Sequence, residues 1–450
     1  MHDGIIVQSR FEALRQLFDD RKATVGVIGL GYVGLPLAAA VARSGFGVIG
    51  FDIDAAKPVE LLAGRSYIPA VRGEEVKSFV QARRFDATSD FGRLGECDAI
   101  LICVPTPLTS HREPDLSYIV ATGEAVAARL RRGQMIVLES TTYPGTTREV
   151  LKPILERGGL VSGSDFFIGF SPEREDPGNV NFDTTSIPKV ISGDGEDALK
   201  LMQALYGSVV KQTVPVSSMD VAEAVKITEN VFRAVNIALA NELKLIYGAM
   251  KIDVWEVIDA AKTKPFGFMP FYPGPGLGGH CIPIDPFYLT WKAHEHEVPT
   301  RFIELAGEIN VSMPKHVVEG LARALDEQSN LPLGSARVLL IGLSYKKNIS
   351  DVRESPSLRL IELMEARGAT VDYHDPHVEA VPATRQHPRL AGRRSTALTP
   401  ESIHSYDAVL ISTDHDDVDY ESIALFSKLV VDTRNAMGRR GLTKDTIVKA

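Results

Sequence analysis

A phosphate-binding fingerprint near the start of the chain limits the fold more than any other feature of the sequence. Residues 24–28 (TVGVI) have the apolar composition of a buried strand, and the turn Gly29-Leu-Gly-Tyr-Val-Gly34 follows at once. An alanine-rich helical stretch comes next, and a second apolar strand at 47–51 ends in Asp52. Strand, glycine turn, helix, strand and acid in this order are typical of a Rossmann domain that binds a dinucleotide.

The glycines of such a turn, and the acid that follows the second strand, each have a separate physical role. Gly29 permits the tight turn, Gly31 lets the backbone reach a pyrophosphate, and Gly34 lets the helix pack closely on the strand. Asp52 is placed to accept hydrogen bonds from the adenosine ribose, and its charge would repel a 2′-phosphate, which favours NAD over NADP. The cofactor-binding residues predicted in this region are Gly29, Gly31, Tyr32, Val33, Gly34 and Asp52.

Two further strand candidates end in short polar segments. Residues 99–104 lead into Pro105-Thr106-Pro107, and residues 135–139 lead into Ser140-Thr141-Thr142. Ligands of open α/β sheets bind at the carboxyl ends of the strands, so Thr106 and Thr141 are predicted to lie near the cofactor. Cys103 lies inside the first of these strands and Cys97 lies just before it, and both are interpreted as core residues.

A long helix is predicted over residues 220–250, after Ser217-Ser218, which can cap it. Lys226, Asn230 and Arg233 are spaced so that they share one face of this helix. That face either contacts water or contacts a ligand, and the spacing alone allows both.

A loop rich in glycine and proline is predicted over residues 264–289, because this composition disfavours helix and central strand. Gly278-Gly279 immediately precede His280 and Cys281, and Asp285 follows four residues after the thiol. A cysteine on a shaped loop suits covalent catalysis. A buried free cysteine that packs as a small apolar group is the alternative.

The α/β pattern restarts after residues 326–335, which have the composition of a linker. Strands are predicted at 337–341, 370–374, 408–412 and 429–431, and the cation-rich segments 345–348 and 351–355 lie near the first turn. The cations suit a phosphate or form a solvated surface. We therefore expect an α/β protein with two Rossmann-like, doubly wound domains joined by a long central helix and a small helical domain, with domains at 1–212, 213–325 and 326–450.

Composition excludes several classes of function. The net charge is −9, whereas nucleic-acid-binding proteins carry a basic surplus, so no nucleic-acid partner is expected. Three cysteines without CxxC spacing argue against disulfides and against a metal site. The sequence contains no apolar run long enough to span a membrane, so we expect a cytoplasmic protein with no membrane partner.

With the fingerprint, the helix face, the GGHC loop and the YKKNISDVRES segment in view, the chain resembles the UDP-glucose/GDP-mannose dehydrogenase family over residues 25–435. It is most similar to the branch of bacterial UDP-N-acetylglucosamine 6-dehydrogenases that serve surface polysaccharides such as O-antigen. Segments 171–179, 226–244 and 264–293 carry this closer similarity. The branch of UDP-glucose dehydrogenases has Asn-Pro-Glu-Phe where this chain begins its loop with Ser171, and it lacks an arginine at the position of Arg233.

The resemblance implies a four-electron oxidation of a UDP-sugar at C6, with two NAD reduced per turnover. It makes Cys281 the nucleophile of a thiohemiacetal and then of a thioester, Lys226 and Asn230 the groups that stabilise the oxyanion, and Asp285 and Thr141 the holders of a water. Thr142 stays an alternative to Thr141, because the segment is one residue longer than in UDP-glucose dehydrogenases. The resemblance also makes Glu173 a base for thioester hydrolysis and lets Arg353 reach NAD. The substrate-binding residues that it implies are Glu173, Lys226, Asn230, Arg233, Tyr272, Gly276, Gly278 and Lys346.

Other activities stay open at this point. UDP-glucose, UDP-ManNAc and UDP-GalNAc differ from UDP-GlcNAc by small changes that the sequence discriminates weakly. A non-catalytic regulator that binds NAD or a nucleotide sugar, and a two-electron hydroxyacid dehydrogenase, would share the NAD domain and the long helix. By resemblance, the helix at 220–250 is the expected contact of a homodimer or higher homo-oligomer.

Overall fold

A computed structural model describes residues 9–68, 70–109, 113–174, 184–279, 282–384 and 386–450. These residues form two compact units. The first unit comprises the described residues up to Glu229 together with Phe287–Glu297, and the second comprises Asn230–Pro286 and Val298–Ala450. Each unit contains a predominantly parallel sheet with helices, so the predicted α/β fold class is confirmed.

Eight strands form the sheet of the first unit. They are β1 (Thr24–Ile28), β2 (Gly47–Phe51), β3 (Phe85–Thr88), β4 (Ala99–Ile102), β5 (Met135–Leu138), β6 (Phe167–Phe170), β7 (Lys189–Gly193) and β8 (Thr213–Pro215). Their order is β3-β2-β1-β4-β5-β6-β7-β8, and all neighbours are parallel except β6 and β7. The chain order reverses beside β1, where β2 lies on one side and β4 on the other. Ligands of such sheets bind at this switch point.

Helices of the first unit pack on a sheet whose central strands are buried throughout. They are α1 (Arg10–Asp19), α2 (Gly34–Arg43), α3 (Ala56–Leu62), α4 (Gly73–Gln81), α5 (Ser117–Ala127), α6 (Lys152–Glu156) and α7 (Glu196–Gly207). Every residue of β4 and β5 is buried, because parallel strands are covered on both faces. This explains why these strands read as continuous apolar runs in the sequence.

A helix of 31 residues, α8 (Met219–Ala249), contributes residues to both units. It begins where the Ser218 hydroxyl accepts a hydrogen bond from the backbone N–H of Val221, at 3.2 Å. The prediction of 220–250 was therefore correct to within one residue at each end. Helices α9 (Val254–Ala261), α10 (Asp285–Glu295) and α11 (Arg301–Ser329) follow.

The second unit contains a five-stranded sheet in which all neighbours are parallel. Its strands are β9 (Arg337–Ile341), β10 (Thr370–His374), β11 (Ala408–Ile411), β12 (Val430–Asp432) and β13 (Ile447–Lys449), in the order β10-β9-β11-β12-β13. Helices α12 (Pro356–Glu365), α13 (Pro400–His404) and α14 (Tyr420–Phe426) complete it.

The expected linker at 326–335 is wrong for its first four residues. Residues 326–329 belong to the last turn of α11, which ends where Asn330 adopts a left-handed conformation (φ 48°). Leu321 and Leu325, one turn apart, are fully buried and hold this end of the helix against the core of the second unit. Packing of an apolar face thus overrides the polar composition of the exposed side.

Among the helices of the described segments, none is both long enough and apolar enough to cross a membrane.

We predict that Gly34→Ala destabilises the first unit. Gly34 begins α2, where alanine is otherwise preferred, but a Cβ there would lie 1.8 Å from the carbonyl oxygen of Gly29. The clash involves backbone on both sides, so the helix must move away from the strand. We expect a loss of about 2 kcal/mol and a thermal midpoint lowered by about 4–8 °C, measured by circular dichroism.

Gly207→Ala is the matched control, because this glycine ends α7 and a Cβ there meets no atom within 4 Å among the described residues. It should leave the midpoint unchanged or raise it slightly. Equal midpoints for Gly34→Ala and the wild type would show that the close helix–strand approach does not limit stability.

Candidate active site

The glycine turn after β1 has the shape that a dinucleotide needs. Gly29 has a φ of +91°, and a Cβ there would lie 2.5 Å from the carbonyl oxygen of Cys103, so only glycine fits the turn. A Cβ on Gly31 would meet no atom of the described chain within 4 Å. Gly29 and Gly34 have no free space for a Cβ, whereas the space in front of Gly31 is open. This arrangement fits a ligand that approaches the backbone at Gly31.

Asp52 is held rigidly at the end of β2. Its Oδ2 accepts a hydrogen bond from the Leu30 N–H at 2.9 Å and lies 2.8 Å from the ammonium of Lys57, while Oδ1 accepts from the Asp54 N–H at 3.0 Å. The acid thus links the glycine turn to the second strand. Of the other residues predicted to bind the cofactor, Tyr32 is exposed at the turn, and Val33 and Thr106 are half-buried.

Cys97 and Cys103 lie in the core, as predicted, and both thiols are free. Burial raises the pKa of the Cys97 thiol to about 12, and burial also raises the pKa of Cys103. Both therefore stay protonated near neutral pH and are poor nucleophiles.

The segment after β5 carries the two candidate threonines. Thr141 is half-buried, whereas Thr142 is 1% exposed and its hydroxyl has no hydrogen-bond partner among the described residues. A buried hydroxyl without a partner is unusual in a folded protein and marks a position where a water or ligand can bind. This observation strengthens Thr142 as the alternative to Thr141 for holding a water.

Glu223, which the sequence did not single out, fixes this segment. It is fully buried on α8 and accepts hydrogen bonds from the N–H groups of Gly145 (2.5 Å) and Thr147 (2.8 Å) and from the Thr147 hydroxyl (2.6 Å). Burial raises its pKa to about 7, although these three donated bonds partly oppose that rise. An acidic residue in an otherwise apolar stretch of a helix was the signal available in the sequence.

Glu173 follows β6 and is nearly buried. Its Oε1 accepts a hydrogen bond from the N–H of Arg174 at 2.6 Å, and the Arg174 guanidinium pairs with Glu229 on α8 at 2.5 Å. The first four residues of the SPERED segment are therefore well anchored. The rest of it, from residue 175 to residue 183, lies outside the described residues.

Lys226, Asn230 and Arg233 occupy one helix, but they differ in burial. Lys226 is 8% exposed and Asn230 is 4% exposed, whereas Arg233 is exposed. Two buried polar side chains one turn apart favour a ligand-facing role over a solvent-facing one, since such groups rarely enter a core without a partner.

In the second unit, Asn230 and Asp285 contact each other directly. The amide Nδ2 of Asn230 donates to Oδ2 of Asp285 at 2.5 Å, and both side chains are buried. Asp285 begins α10, although 55 residues separate it from Asn230 in sequence. His280 and Cys281, the predicted nucleophile, lie outside the described residues.

The glycine–proline loop before the cysteine is tied to two helices of the second unit. The N–H of Gly274 donates to Asn241 Oδ1 at 3.0 Å, Asn241 donates to Asn310 at 2.9 Å, and Asn310 donates to the Ala234 carbonyl at 3.0 Å. Tyr272 hydrogen-bonds Asp259 at 2.7 Å. The loop is therefore ordered by buried amides on α8 and α11.

The same loop packs against the cation-rich segment of the second unit. A Cβ on Gly278 would lie 2.5 Å from Cβ of Tyr345, so Gly278 is in close contact with the residue that precedes Lys346. Gly276 has a φ of +137°, which favours glycine at that position. The Lys346 carbonyl accepts a hydrogen bond from Ser344 at 2.8 Å. Arg353 forms a bidentate pair with Asp351, with its Nε 2.9 Å from both carboxylate oxygens.

The structure therefore brings together several residues that are far apart in the sequence. Asn230 meets Asp285, and Gly278 meets the segment next to Lys346. Sequence reasoning missed Glu139, Lys189, Tyr206 and Glu223, which are buried polar residues of the first unit. Within the described segments, no group of three His, Cys, Asp or Glu side chains could hold a metal ion.

Three domain models of one family match the chain. The NAD binding domain of the UDP-glucose/GDP-mannose dehydrogenase family matches residues 23–210, its central domain matches residues 220–312, and its UDP binding domain matches residues 339–439. The NAD binding match covers the glycine turn, and the UDP binding match covers Lys346 and Arg353. These matches agree with the expected cofactor, NAD, and with a UDP-binding second sheet.

Relatives resemble the chain over nearly its whole length. It is 37% identical over 393 residues to UDP-N-acetyl-D-glucosamine 6-dehydrogenase of Pseudomonas aeruginosa, covering 87% of this chain and 90% of that one. It is 35% identical over 420 residues to UDP-N-acetyl-D-mannosamine dehydrogenase of Pyrococcus horikoshii, covering 91% and 95%. The solved structure of UDP-D-ManNAc dehydrogenase from Pyrococcus horikoshii superposes with a TM-score of 0.83 at 32% identity, covering 95% of this chain and 98% of that chain.

We predict that Gly31→Ala weakens NAD binding without affecting stability. The added methyl enters open space in the structure but stands where a pyrophosphate would meet the backbone. We expect the Kd for NAD, measured by isothermal titration calorimetry, to rise about tenfold or more, with a thermal midpoint within about 2 °C of the wild type.

Gly47→Ala tests whether any glycine change on this unit weakens binding, because Gly47 also faces open space, has no positive φ, and begins β2 at the opposite, amino-terminal end of the parallel strands. Unchanged NAD affinity in Gly31→Ala would show that the pyrophosphate does not approach this turn.

Proposed function

The chain belongs to the UDP-glucose/GDP-mannose dehydrogenase family and is an NAD-dependent UDP-sugar dehydrogenase, and we propose that its substrate is UDP-N-acetylglucosamine. In this proposal the C6 hydroxymethyl group is oxidised to a carboxylate through a covalent intermediate on Cys281. The product, a UDP-linked N-acetylglucosaminuronate, would serve as a precursor of surface polysaccharides.

The hydrogen bond between Asn230 and Asp285 supports this chemistry most directly. Asn230 donates this bond from α8, which also carries the buried Lys226 four residues earlier, and the Asp285 carboxylate on α10 accepts it. When an alcohol loses a proton, its oxygen gains negative charge. This step needs a carboxylate that can hold a water, and it needs an amide and an ammonium that can stabilise the oxygen. An arrangement that served stability alone would not need a lysine at a buried position of this helix.

The first oxidation converts the alcohol to an aldehyde. NAD, when bound at the turn of residues 29–34, supplies the hydride acceptor for each of the two oxidations. A water held by Asp285 and Thr141, or by Thr142, takes the hydroxyl proton. Lys226 and Asn230 stabilise the negative charge on the C6 oxygen, and a well-aimed donor of this kind contributes about 3–4 kcal/mol to the lowering of the barrier.

The second oxidation proceeds on the enzyme. The Cys281 thiolate adds to the aldehyde carbon and forms a C–S bond, giving a thiohemiacetal, which keeps the reactive aldehyde bound. Oxidation of this adduct gives a thioester. Water then attacks C6 while Glu173 takes its proton, the C–S bond breaks, and the thiolate leaves. In sum, one alcohol, two NAD⁺ and one water give one carboxylate, two NADH and three protons.

Two features support UDP-N-acetylglucosamine over its epimers. Arg233 and the segment that begins at Ser171 match the branch of the family that acts on this sugar, and the relative in Pseudomonas aeruginosa bears that activity in its name. Relatives with UDP-N-acetyl-D-mannosamine in their names are almost as similar, so UDP-ManNAc is the second candidate. UDP-GalNAc and UDP-glucose are the remaining candidate substrates.

We also propose a homodimer or higher homo-oligomer. Phe232, Leu239 and Ile246 on α8 are each about half exposed (46%, 50% and 47%), which supports an apolar contact along that helix. A single monomeric species in sedimentation equilibrium at micromolar concentration would exclude this assembly.

The proposed function predicts two NADH for each UDP-GlcNAc consumed, because both oxidations occur before product release. NADH absorbance would be measured to completion with limiting UDP-GlcNAc, UDP-ManNAc, UDP-GalNAc and UDP-glucose in parallel. We expect the highest kcat/KM with UDP-GlcNAc.

Two NADH with another sugar preferred would overturn the substrate but keep the four-electron chemistry. One NADH per sugar would indicate a two-electron dehydrogenase, which needs no thiol. No NADH with any of the four sugars would indicate a binding protein and overturn the proposed function.

We predict that Arg233→Leu lowers kcat/KM for UDP-GlcNAc about tenfold or more and affects UDP-glucose less, since loss of a hydrogen bond between a charged group and the 2-acetamido group costs about 1.5–3 kcal/mol. Lys251→Leu, at another exposed cation of the second unit, is the control and should change neither value. Equal losses for both sugars would contradict a contact between Arg233 and the acetamido group.

A further inference from the structure

A cluster of buried charged side chains lies in the first unit, outside the residues assigned above to the first oxidation. Glu139 directly follows β5, Lys189 begins β7, and Tyr206 lies on α7. All three side chains are buried. Lys189 Nζ is 2.8 Å from Glu139 Oε2, and the Tyr206 hydroxyl donates to Glu139 Oε1. The ammonium also lies 5.3 Å from the centre of the Tyr206 ring.

The cluster extends to Glu173. Lys189 Nζ lies 3.6 Å from Glu173 Oε2 and 3.5 Å from the carbonyl oxygen of Pro172. The other carboxylate oxygen of Glu173 accepts the Arg174 N–H at 2.6 Å. One oxygen is thus held by backbone and the other faces a buried cation, so the plane of the carboxylate is set from both sides.

Lys189 and Glu173 also line a small pocket with Pro172, Arg174 and Pro188. Its volume of about 10 Å³ is close to the minimum that one water molecule requires. A water in this pocket would touch the carboxylate that is the candidate base for hydrolysis.

The charge balance of the cluster argues against a purely structural ion pair. One ammonium faces two carboxylates, so the group carries a net negative charge when all three are ionised. Burial raises the pKa of Glu139 to about 7, and the positive charge of Lys189 opposes that rise. Buried ion pairs are poor stabilisers compared with apolar residues of similar volume, so a buried lysine that serves two acids needs another explanation.

We propose that Lys189, held in place by Glu139 and Tyr206, is a positioning residue that keeps the Glu173 carboxylate correctly oriented to hydrolyse the thioester on Cys281. The inference rests on the proposed function and deepens it. In the assisted step, water oxygen bonds to C6, Glu173 takes the water proton, and the C6–S bond breaks to release the Cys281 thiolate. No electron transfer occurs in this step, so Lys189 affects neither oxidation.

Removing the ammonium should therefore separate oxidation from hydrolysis. In Lys189→Met, we expect a rapid burst of two NADH per active site, followed by steady-state turnover slowed about 30-fold or more. Intact-protein mass spectrometry during turnover should show the UDP-sugar acyl adduct. Hydroxylamine cleaves thioesters without a general base, because its nitrogen attacks C6 directly and expels the thiolate, so it should restore turnover and yield a hydroxamate.

The pH dependence provides a readout that a structural defect would not produce. The groups that face Lys189 are Glu139, Glu173, Tyr206 and the Cys103 thiol, and the nearby Arg174 is paired with Glu229. With the cation removed, ionisation of Glu139 is less favourable, because the charge of Lys189 lowers the pKa of that carboxyl. The acidic limb of the steady-state rate should move to higher pH in Lys189→Met, and Lys189→Arg should restore the wild-type profile at least in part.

Matched controls guard against loss of folding. Lys152→Met breaks another ion pair of the same unit, with Asp194 at 2.7 Å, and should show no adduct and normal turnover. The double variant Lys189→Met/Glu139→Gln removes the buried carboxylate that Lys189→Met leaves unpaired, and should fold and still accumulate the adduct.

The outcomes distinguish the two proposals. If the wild-type enzyme does not yield two NADH per UDP-sugar, the proposed function fails whatever the variants do. If the wild type yields two NADH but both Lys189 variants turn over normally, or lose the burst and turnover equally without adduct or hydroxylamine rescue, the role of Lys189 is overturned. Failure of both variants to fold would likewise overturn it and make the cluster structural.

Discussion

Buried carboxylates that accept backbone N–H groups hold the loops at the ends of strands in both units. Asp52 holds the turn after β1, Glu223 holds the segment after β5, and Asp375 accepts from the N–H groups of Leu343 (2.6 Å) and Ser344 (3.0 Å) after β9. Such charge-assisted bonds are stronger than neutral ones, and they satisfy donors that a tight turn would otherwise bury without partners. The turn after β1, the segment after β5 and the turn after β9 therefore each depend on one of these carboxylates.

The two sheets use this device for different surroundings. In the first unit the turn contains the glycines that leave open space at Gly31, and its acid is paired with Lys57. In the second unit the corresponding turn has Ser344 in place of the second glycine, and His415 is fully buried beside Asp375 at 3.1 Å. The backbone N–H of Asn348 donates to the other ring nitrogen of His415. In this unit the carboxylate and the histidine therefore also hold the cation-rich segment 345–348. The two turns therefore differ in what their buried carboxylates contact, a lysine in the first unit and a histidine in the second.

Lys189 adds a cation to a region where carboxylates predominate. Its contacts extend from the end of β5 to the loop after β6, so it connects the segment that carries the threonines with the segment that carries Glu173. The cost of burying a charge is tolerated at functional sites because a low dielectric strengthens the electrostatic effect of that charge on its neighbours.

Elements whose signals are local could be predicted directly from the amino-acid sequence. The strands β1, β2, β9 and β10, the glycine turn and the long helix α8 were predicted to within about a residue, because hydrophobic periodicity and capping act over a few neighbouring positions. Long-range packing makes residues 326–329 continue a helix, buries Thr142 more deeply than Thr141, and brings Asn230 to Asp285 across 55 residues. The Glu139–Lys189 pair spans 50 residues in the same way. Burial and charge pairing depend on which strands become neighbours, and a local sequence pattern does not show which distant residues come into contact.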